Sequence, residues 1–525
     1  MAIIKSHNIT FYGGNNDYKI VLRPLSDEHL PLLYKWCSDP EVLYWTEGGT
    51  DNTELSYDAD TVHQIYGGVS QKAFCFLIEA NGVPIGECWL QKMNLPYVKA
   101  MHPETADVRR IDMSIGEKDY WNKGIGTVFI RMLVDFAFTG EQVDVLHCFC
   151  EDYNHRSRRM WEKNGFLLAL TENLPQPQKG KLQYHYTLTR QQYIEKCRVI
   201  IPSGKVFMLP IADLQPSQLY ISEGKLNLCR EWFGGSDVRS MDAIPIKYFM
   251  GKNLITDGHT RAVLAYLSGF SSVPCYLDTD ELDMATYATD IAMCSAEGVS
   301  GIADLAKRIV SPRDYEMLWR KRCMDMYDEP LYSSMSKAVN IIEYLQSLPE
   351  VKSCSLYGSL ANGKADRYSD IDIEVDVSGS DNGVFMKNLP VVLTEKSPVL
   401  WYDFAPSLAR EKYVVSAAID ANNPFCIVDF NCKATPHISA VQKSDLENDV
   451  YHHLIKLWVT NCKHFIRGAD CDRDIRKMGS RTIGSACEKM NNEDILEEVL
   501  RRLENNITPE TEVYIRNCRK AWDER

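Results

Sequence analysis

The chain has no run of about 18 consecutive apolar residues, the length a helix needs to cross a bilayer, so no membrane span is expected. Its first residues, Met-Ala-Ile-Ile-Lys-Ser-His-Asn, lack the apolar core of a secretory signal. No Cys-x-x-Cys pair occurs among the 17 cysteines, so a common zinc and redox spacing is missing. Several cysteines (Cys75, Cys148, Cys275, Cys354, Cys426) fall in apolar, strand-like runs where cysteine behaves as a small hydrophobe. A reducing, cytoplasmic setting is expected. Basic residues are not in excess: 58 Lys and Arg against 72 Asp and Glu leave a net charge of −14. That balance argues against a general nucleic-acid binder and suits small cationic substrates.

What is present is ordinary for a soluble globular protein, with 45% hydrophobic and 25% charged residues. The 525 residues exceed one core and predict about three or four domains.

The densest chemistry lies in Ser355-Leu-Tyr-Gly-Ser-Leu-Ala-Asn-Gly-Lys-Ala-Asp-Arg-Tyr-Ser-Asp-Ile-Asp-Ile-Glu-Val375. Asp370 and Asp372 alternate with Ile371, Ile373 and Val375, so strand geometry sends both carboxylates to one face. Such a pair needs a neutralising cation, and hard oxygens suit Mg²⁺. Gly358 permits a tight turn, and the Ser359 hydroxyl with the following amides can face a phosphate. Further on, Asp429 stands isolated in the apolar run Cys426-Ile-Val-Asp-Phe430, where an unpartnered carboxylate pays a large desolvation penalty.

The Gly-Ser turn followed by Asp-x-Asp resembles the DNA polymerase β-like nucleotidyltransferases, in the style of the antibiotic-modifying members. The resemblance implies a nucleoside triphosphate (ATP foremost) bound at Gly358 and Ser359, and Mg²⁺ on Asp370 and Asp372. It also implies Asp429 as general base or further metal ligand. The family's usual loop arginine is replaced by Asn362, which leaves Lys456 or Lys463, on a helix from Tyr451 to Arg467, to contact the nucleotide. On that helix His452, His453 and His464 read as surface residues.

The first 195 residues alternate strand-like and helix-like stretches, with a hairpin predicted at Asn81-Gly82. Trp121-Asn-Lys-Gly-Ile-Gly-Thr127 runs into Val128, Phe129, Met132, Leu133 and Phe136 at helical spacing. A Gly-rich turn opening a helix presents unpaired amides that can cradle a pyrophosphate; alone it is equally a plain helix start. With Arg110-Ile-Asp-Met113 before it and Asn154-His-Arg-Ser-Arg-Arg-Met-Trp-Glu-Lys-Asn-Gly-Phe166 after it, this segment resembles the GCN5-related N-acetyltransferases, and within them the aminoglycoside 6′-N-acetyltransferases. The resemblance implies acetyl-CoA, its pyrophosphate on the amides of Lys123, Gly124, Ile125, Gly126 and Thr127, its pantetheine arm beside Asn154. It implies Asp112 as the acid that binds or deprotonates the acceptor amine. Trp161 stands where family members often carry a tyrosine to protonate the leaving thiolate, and Trp121 where the turn usually begins with Arg or Gln.

Residues 47–60 carry five acids and no base, which reads as a solvated loop or as a lid for a polycationic acceptor, with Asp51, Glu54 and Asp58 as its charges. Residues 196–310 hold strand-like pieces around Asp257-Gly-His-Thr-Arg-Ala262, resembling the ParB/sulfiredoxin-like fold; a phosphate-sensing or purely structural module is expected. The expected architecture is therefore multidomain α/β and α+β: a GNAT domain at 1–195, a ParB/sulfiredoxin-like module with helical connector at 196–310, and a nucleotidyltransferase with C-terminal helices at 311–525. Two functions fit. One is a bifunctional enzyme modifying an aminoglycoside-like drug; the other is a regulatory, toxin–antitoxin-type protein modifying a macromolecule.

Overall fold

The computed structural model describes residues 2–47, 56–175, 179–198, 206–235, 237–405, 413–437, 439, 441 and 443–525. The first unit is built on an eight-stranded sheet: β1 (Phe11–Gly14), β2 (Lys19–Pro24), β3 (Ala73–Ala80), β4 (Val83–Lys92), β5 (Val108–Ile115), β6 (Val145–Glu151), β7 (Leu167–Asn173) and β8 (Leu182–Thr189), in the order 1-2-3-4-5-6-8-7. Asn81 and Gly82 both take positive φ (50° and 78°), the mirror-image turn that matches strand twist, and they join β3 to β4 as expected. β5 and β6 run parallel, and their pairing covers only Val108–Arg110 against Val145–His147. β5 continues to Ile115 and β6 to Glu151, so the two strands part and leave a wedge in the sheet.

Helices α1 (Leu30–Cys37), α2 (Pro40–Thr46) and α3 (Ala59–Val69) lie beside that wedge, with Leu33, Trp36, Val62 and Tyr66 in a small core of their own. Helix α4 (Ile125–Asp135) buries Ile125, Phe129, Ile130, Leu133 and Val134, the stripe that a 3.6-residue period dictates. Helix α5 (His155–Lys163) follows β6.

The middle unit contains β9 (Phe207–Pro210), β10 (Leu214–Gln215), β11 (Ile221–Ser222), α6 (Glu223–Phe233), β12 (Ile244–Phe249), β13 (Lys252–Ile255), α7 (His259–Leu267), β14 (Ser272–Leu277), α8 (Met284–Ala296) and β15 (Ile309–Val310). Five strands form a mixed sheet of order 10-13-12-14-9, and β11 pairs with β15 separately.

The last unit opens with α9 (Pro330–Gln346), β16 (Ser353–Tyr357), α10 (Gly358–Ala361), β17 (Ile371–Asp376), α11 (Asn382–Leu393), β18 (Trp401–Phe404), β19 (Tyr413–Ala418) and β20 (Ile427–Lys433). Its sheet has the order 16-17-20-19-18, with β17 and β20 parallel. Helices α12 (Val450–Ile466), α13 (Asp472–Thr482), α14 (Asn492–Glu504) and α15 (Glu512–Asp523) form a separate core around Trp458, Tyr514 and Trp522, closed against Trp401 of β18.

The units interleave at their edges. Tyr315 and Trp319, from the segment expected in the last domain, pack into the middle core, while Ala288 and Ala292 of α8 pack into the last. Gly224 of α6 approaches Thr139 so closely that a Cβ there would stand 2.1 Å from its carbonyl oxygen. Of the expected acidic lid, Asp51 and Glu54 lie outside the described residues; Asp58 caps α3 by accepting from the Thr61 amide at 2.7 Å. All 17 cysteines are free thiols. Among the described residues no helix is long and apolar enough to cross a membrane.

Leu133 is fully buried at the centre of the first core. Leu133→Ala should destabilise that unit by about 2–5 kcal/mol, the range for truncating a buried leucine. Guanidinium unfolding followed by tryptophan fluorescence should show a lower midpoint for the corresponding transition.

Candidate active sites

A cavity of about 630 Å³ opens where β5 and β6 part, with Trp89, Asp112, Trp121, Gly126, Glu151 and Asn154 among its walls. The turn that enters α4 uses left-handed backbone at Asn122 (φ 61°) and Gly124 (φ 76°); the Thr127 amide donates to the Gly124 carbonyl at 3.2 Å, which leaves the amides of Ile125 and Gly126 without an intrahelical acceptor. Lys123 is exposed, and its carbonyl accepts from the Asn15 side chain at 3.2 Å. Gly126 leaves room beneath α5: a Cβ there would stand 2.8 Å from Met160 Sδ. Gly124 to Thr127 thus form an amide-lined lip on the cavity, consistent with the dipole end of a helix attracting an anion.

Asp112 is held by two neighbours. Arg110 donates to both carboxylate oxygens at 2.6 Å, and Trp89 Nε1 donates to Oδ2 at 2.9 Å. The fork fixes the orientation of the carboxylate at the cavity wall. Asn154 caps α5, accepting from the Ser157 amide at 3.2 Å, and its Nδ2 donates to the Trp45 carbonyl at 2.9 Å. Trp161 is buried in the wall, and its Nε1 has no hydrogen-bond partner among the described residues. Trp121 Nε1 instead donates to the Ile115 carbonyl at 2.7 Å, and Arg156 lies between the rings of Trp45 and Trp121, 4.2 Å and 4.6 Å from their centroids.

Two acids of this cavity, Glu87 and Glu151, were not among the expected site residues. Glu47, the first residue of the acidic stretch, also lines it and carries a carboxyl raised by burial. Glu87 is buried, and burial together with the nearby Asp112 pushes its carboxyl far above the usual range. The only signal for Glu87 was an acid inside the apolar run Pro84-Ile-Gly-Glu-Cys-Trp-Leu90. Its neighbourhood follows from the register, which sets Glu87 opposite Ser114 and Trp89 opposite Asp112.

In the last unit one row crosses the sheet. Tyr357, Asp372, Asp429, Ser416 and Asp403 stand opposite one another on β16, β17, β20, β19 and β18. Residues directly opposite share a face, so Asp372 and Asp429 present paired carboxyls. Burial, then the nearby Asp429 and Asp370, raise Asp372 to about 6. Ser416 Oγ donates to Asp429 Oδ1 at 2.5 Å. Gly358 has φ 75° and a Cβ there would stand 2.1 Å from Asp372 Oδ2, so a side chain is excluded at this approach. Ser359 follows in the short helix α10.

Of the two lysines expected to contact the nucleotide, Lys456 bonds Asp403 at 3.0 Å, and His453 bonds the same carboxylate at 2.9 Å. Two helical turns further along α12, Lys463, which is almost fully buried, donates to both oxygens of Asp370. Burial raises the Asp370 carboxyl and Lys463 opposes that shift. Among the described residues no group of three or more His, Cys, Asp or Glu has metal-binding geometry. Asp372 and Asp429 stand opposite each other in the register, while Asp370 is paired with Lys463.

Of the two readings of the middle unit, phosphate-sensing or purely structural, its hydrogen bonds fit the second. Arg261 is buried; it donates to Asp257 Oδ2 at 3.0 Å and to the carbonyls of Asp242 and Ala243 at 3.2 Å and 2.9 Å. A guanidinium so engaged braces β12 against α7 rather than facing a phosphate. His259 is equally buried and receives the Ser217 amide proton on Nε2 at 3.0 Å.

Residues 19–167 match the family model for the acetyltransferase (GNAT) domain, and residues 339–400 match that for the polymerase beta nucleotidyltransferase. The chain carries two transferase domains. An aminoglycoside N(6′)-acetyltransferase type 1 of Klebsiella pneumoniae is 27% identical over 156 residues, covering 29% of this chain and 76% of that enzyme. The Serratia marcescens enzyme of the same name gives the same figures. A solved aminoglycoside acetyltransferase, AAC(6′)-Ib in complex with ribostamycin and coenzyme A, is 25% identical over 35% of this chain and 99% of its own, with a TM-score of 0.29. The two matched domains make this a bifunctional transferase, an acetyltransferase and a nucleotidyltransferase in one chain.

Burial lowers His259 from its ordinary 6.5 to about 4, so the folded imidazole stays neutral where the unfolded one protonates. The stability this contributes is complete above pH 6.5 and is lost as pH falls toward about 4. A melting series should show wild type losing more across that window than His259→Gln. Gly358→Ala adds a collision to the left-handed strain of roughly 1–2 kcal/mol. Gly468→Ala, at φ 70° with nothing within 4 Å, carries the strain alone. The melting temperature should therefore drop further for Gly358→Ala than for Gly468→Ala.

Proposed function

We propose that the first domain acetylates an amine of a small cationic, aminoglycoside-like acceptor, and that the last transfers a nucleotidyl group from a nucleoside triphosphate, ATP foremost, to a hydroxyl. Antibiotic modification is the role that joins the two. The reading rests on one observation above others: a wedge-shaped cavity with an amide-lined helix start on one wall and the clamped Asp112 carboxylate on another.

In the first site the amides of Lys123 to Gly126 would hold the pyrophosphate of acetyl-CoA, with Thr127 beside them, and the wedge beside Asn154 its pantetheine arm. When bound, that cofactor supplies an activated acyl thioester. Asp112 attracts the acceptor ammonium and takes a proton onto a carboxylate oxygen, which frees the amine lone pair. Arg110 and Trp89 keep those oxygens in position. The Trp161 N–H offers a hydrogen bond and no proton, since an indole does not ionise in this range.

In the last site Asp372 and Asp429 would hold Mg²⁺, which supplies charge neutralisation at the phosphates. Gly358 and Ser359 would line the triphosphate. Of the two lysines expected to contact the nucleotide, Lys463, paired with Asp370, would be the one to do so. Asp429 receives the proton of the acceptor hydroxyl or shares the cation.

The test is a panel of aminoglycosides offered with acetyl-CoA, and separately with ATP and Mg²⁺, to wild type, Asp112→Asn and Asp429→Asn. Wild type should turn over with both donors. Each variant should lose its own reaction by about 10²–10⁴-fold and keep the other. No turnover of any aminoglycoside by wild type would overturn the drug-modifying role.

A further inference from the structure

Glu87 sits in the middle of β4, opposite Leu77 of β3 and Ser114 of β5. Alternate strand residues share a face, so Glu87 lies with Trp89, and across the register with Asp112, toward the cavity it lines. It is 4% exposed, and its Oε2 has no hydrogen-bond partner among the described residues. The Tyr66 hydroxyl of α3 meets the carboxyl from the helical side. The other titratable groups that act on it are Asp112 on β5, and Cys37, Cys75 and Cys88 on α1, β3 and β4. None is a cation, and Arg110 is committed to Asp112.

A buried polar atom without a partner costs about 1–3 kcal/mol. Glu87 lines the cavity while its Oε2 is enclosed, so that cost is recovered by a ligand toward which the side chain turns and which supplies the missing hydrogen bond, and a ligand lacking the group is rejected strongly. The amine of the acceptor is served by Asp112. Glu87 therefore has a different group to meet.

We propose that Glu87 is a specificity-determining residue of the acceptor site, its carboxyl hydrogen-bonding a hydroxyl that the acceptor carries beside the amine facing Asp112. The substrate class is then an amino alcohol rather than a simple amine. As an un-ionised acid Glu87 both donates and accepts, which matches the two-way hydrogen bonding of a hydroxyl. This deepens the acetyltransferase reading, and the binding it predicts is measured without acetyl-CoA.

The probes are trans-2-aminocyclohexanol and cyclohexylamine, which differ by one hydroxyl. Their binding to the full chain is followed by quenching of tryptophan fluorescence, since Trp36, Trp45, Trp89, Trp121 and Trp161 line the cavity. Wild type should prefer the amino alcohol by about tenfold or more, the ratio that one well-made hydrogen bond provides. Glu87→Gln, which keeps a donor and an acceptor, should hold the ratio within about threefold, while Glu87→Leu should bring it near one. A wild-type ratio near one overturns the proposal. So does a wild-type ratio in Glu87→Leu, or a loss in Glu87→Gln as large as in Glu87→Leu. Should Glu87→Leu fail to fold, wild type and Glu87→Gln still decide. A preserved ratio with no acetyl transfer by wild type supports the proposal and counts only against the reaction.

Discussion

The parting of β5 and β6 after three paired residues is the constraint on which the first domain depends. Backbone groups that would have paired across the sheet are released, and the space between the strands becomes a cavity rather than core. Everything chemically distinctive follows from what borders it. The α4 turn contributes amides, β5 contributes Asp112, β4 contributes Trp89 and Glu87, and α5 contributes Asn154 and Trp161. Their low-dielectric surroundings separate two carboxyls by role. Arg110 clamps one, and burial keeps the other un-ionised.

The last domain solves a related problem without a wedge. Parallel pairing of β17 with β20 forces Asp372 and Asp429 side by side, an arrangement that is unfavourable until a cation shares the charge. Lys463 supplies part of that charge from α12, at Asp370. The helix spacing that brings Lys463 to Asp370 also brings Lys456 to Asp403 on β18, three strands from β17 in the sheet. A single helix thus pairs with acids at two separate places on the sheet.

The middle unit shows why a motif is weaker than a neighbourhood. A glycine turn, a histidine and an arginine at a helix start suggested an anion site. Arg261 spends its donors on Asp257 and two carbonyls, and His259 is buried against Ser217. The groups are present, and their hydrogen bonds are used in holding α7 to the sheet.

Local order along the chain was enough to read the hairpin at Asn81-Gly82, the helix that follows the Asn122–Thr127 turn, the Gly-Ser turn and the Asp-x-Asp alternation; the face that helix buries is Ile125, Phe129, Ile130, Leu133 and Val134, with the expected Val128 and Met132 only half-buried. Those readings depend on dihedral preference and on periods of two and 3.6, which neighbouring residues express by themselves. What only tertiary structure decided were the pairings between distant segments: Asp372 with Asp429, Glu87 near Asp112, Lys463 rather than Lys456 on Asp370. Strand register and helix placement set these, and with them which carboxyls lose water. Desolvation is a property of the assembled surroundings, so no stretch of sequence carries it alone.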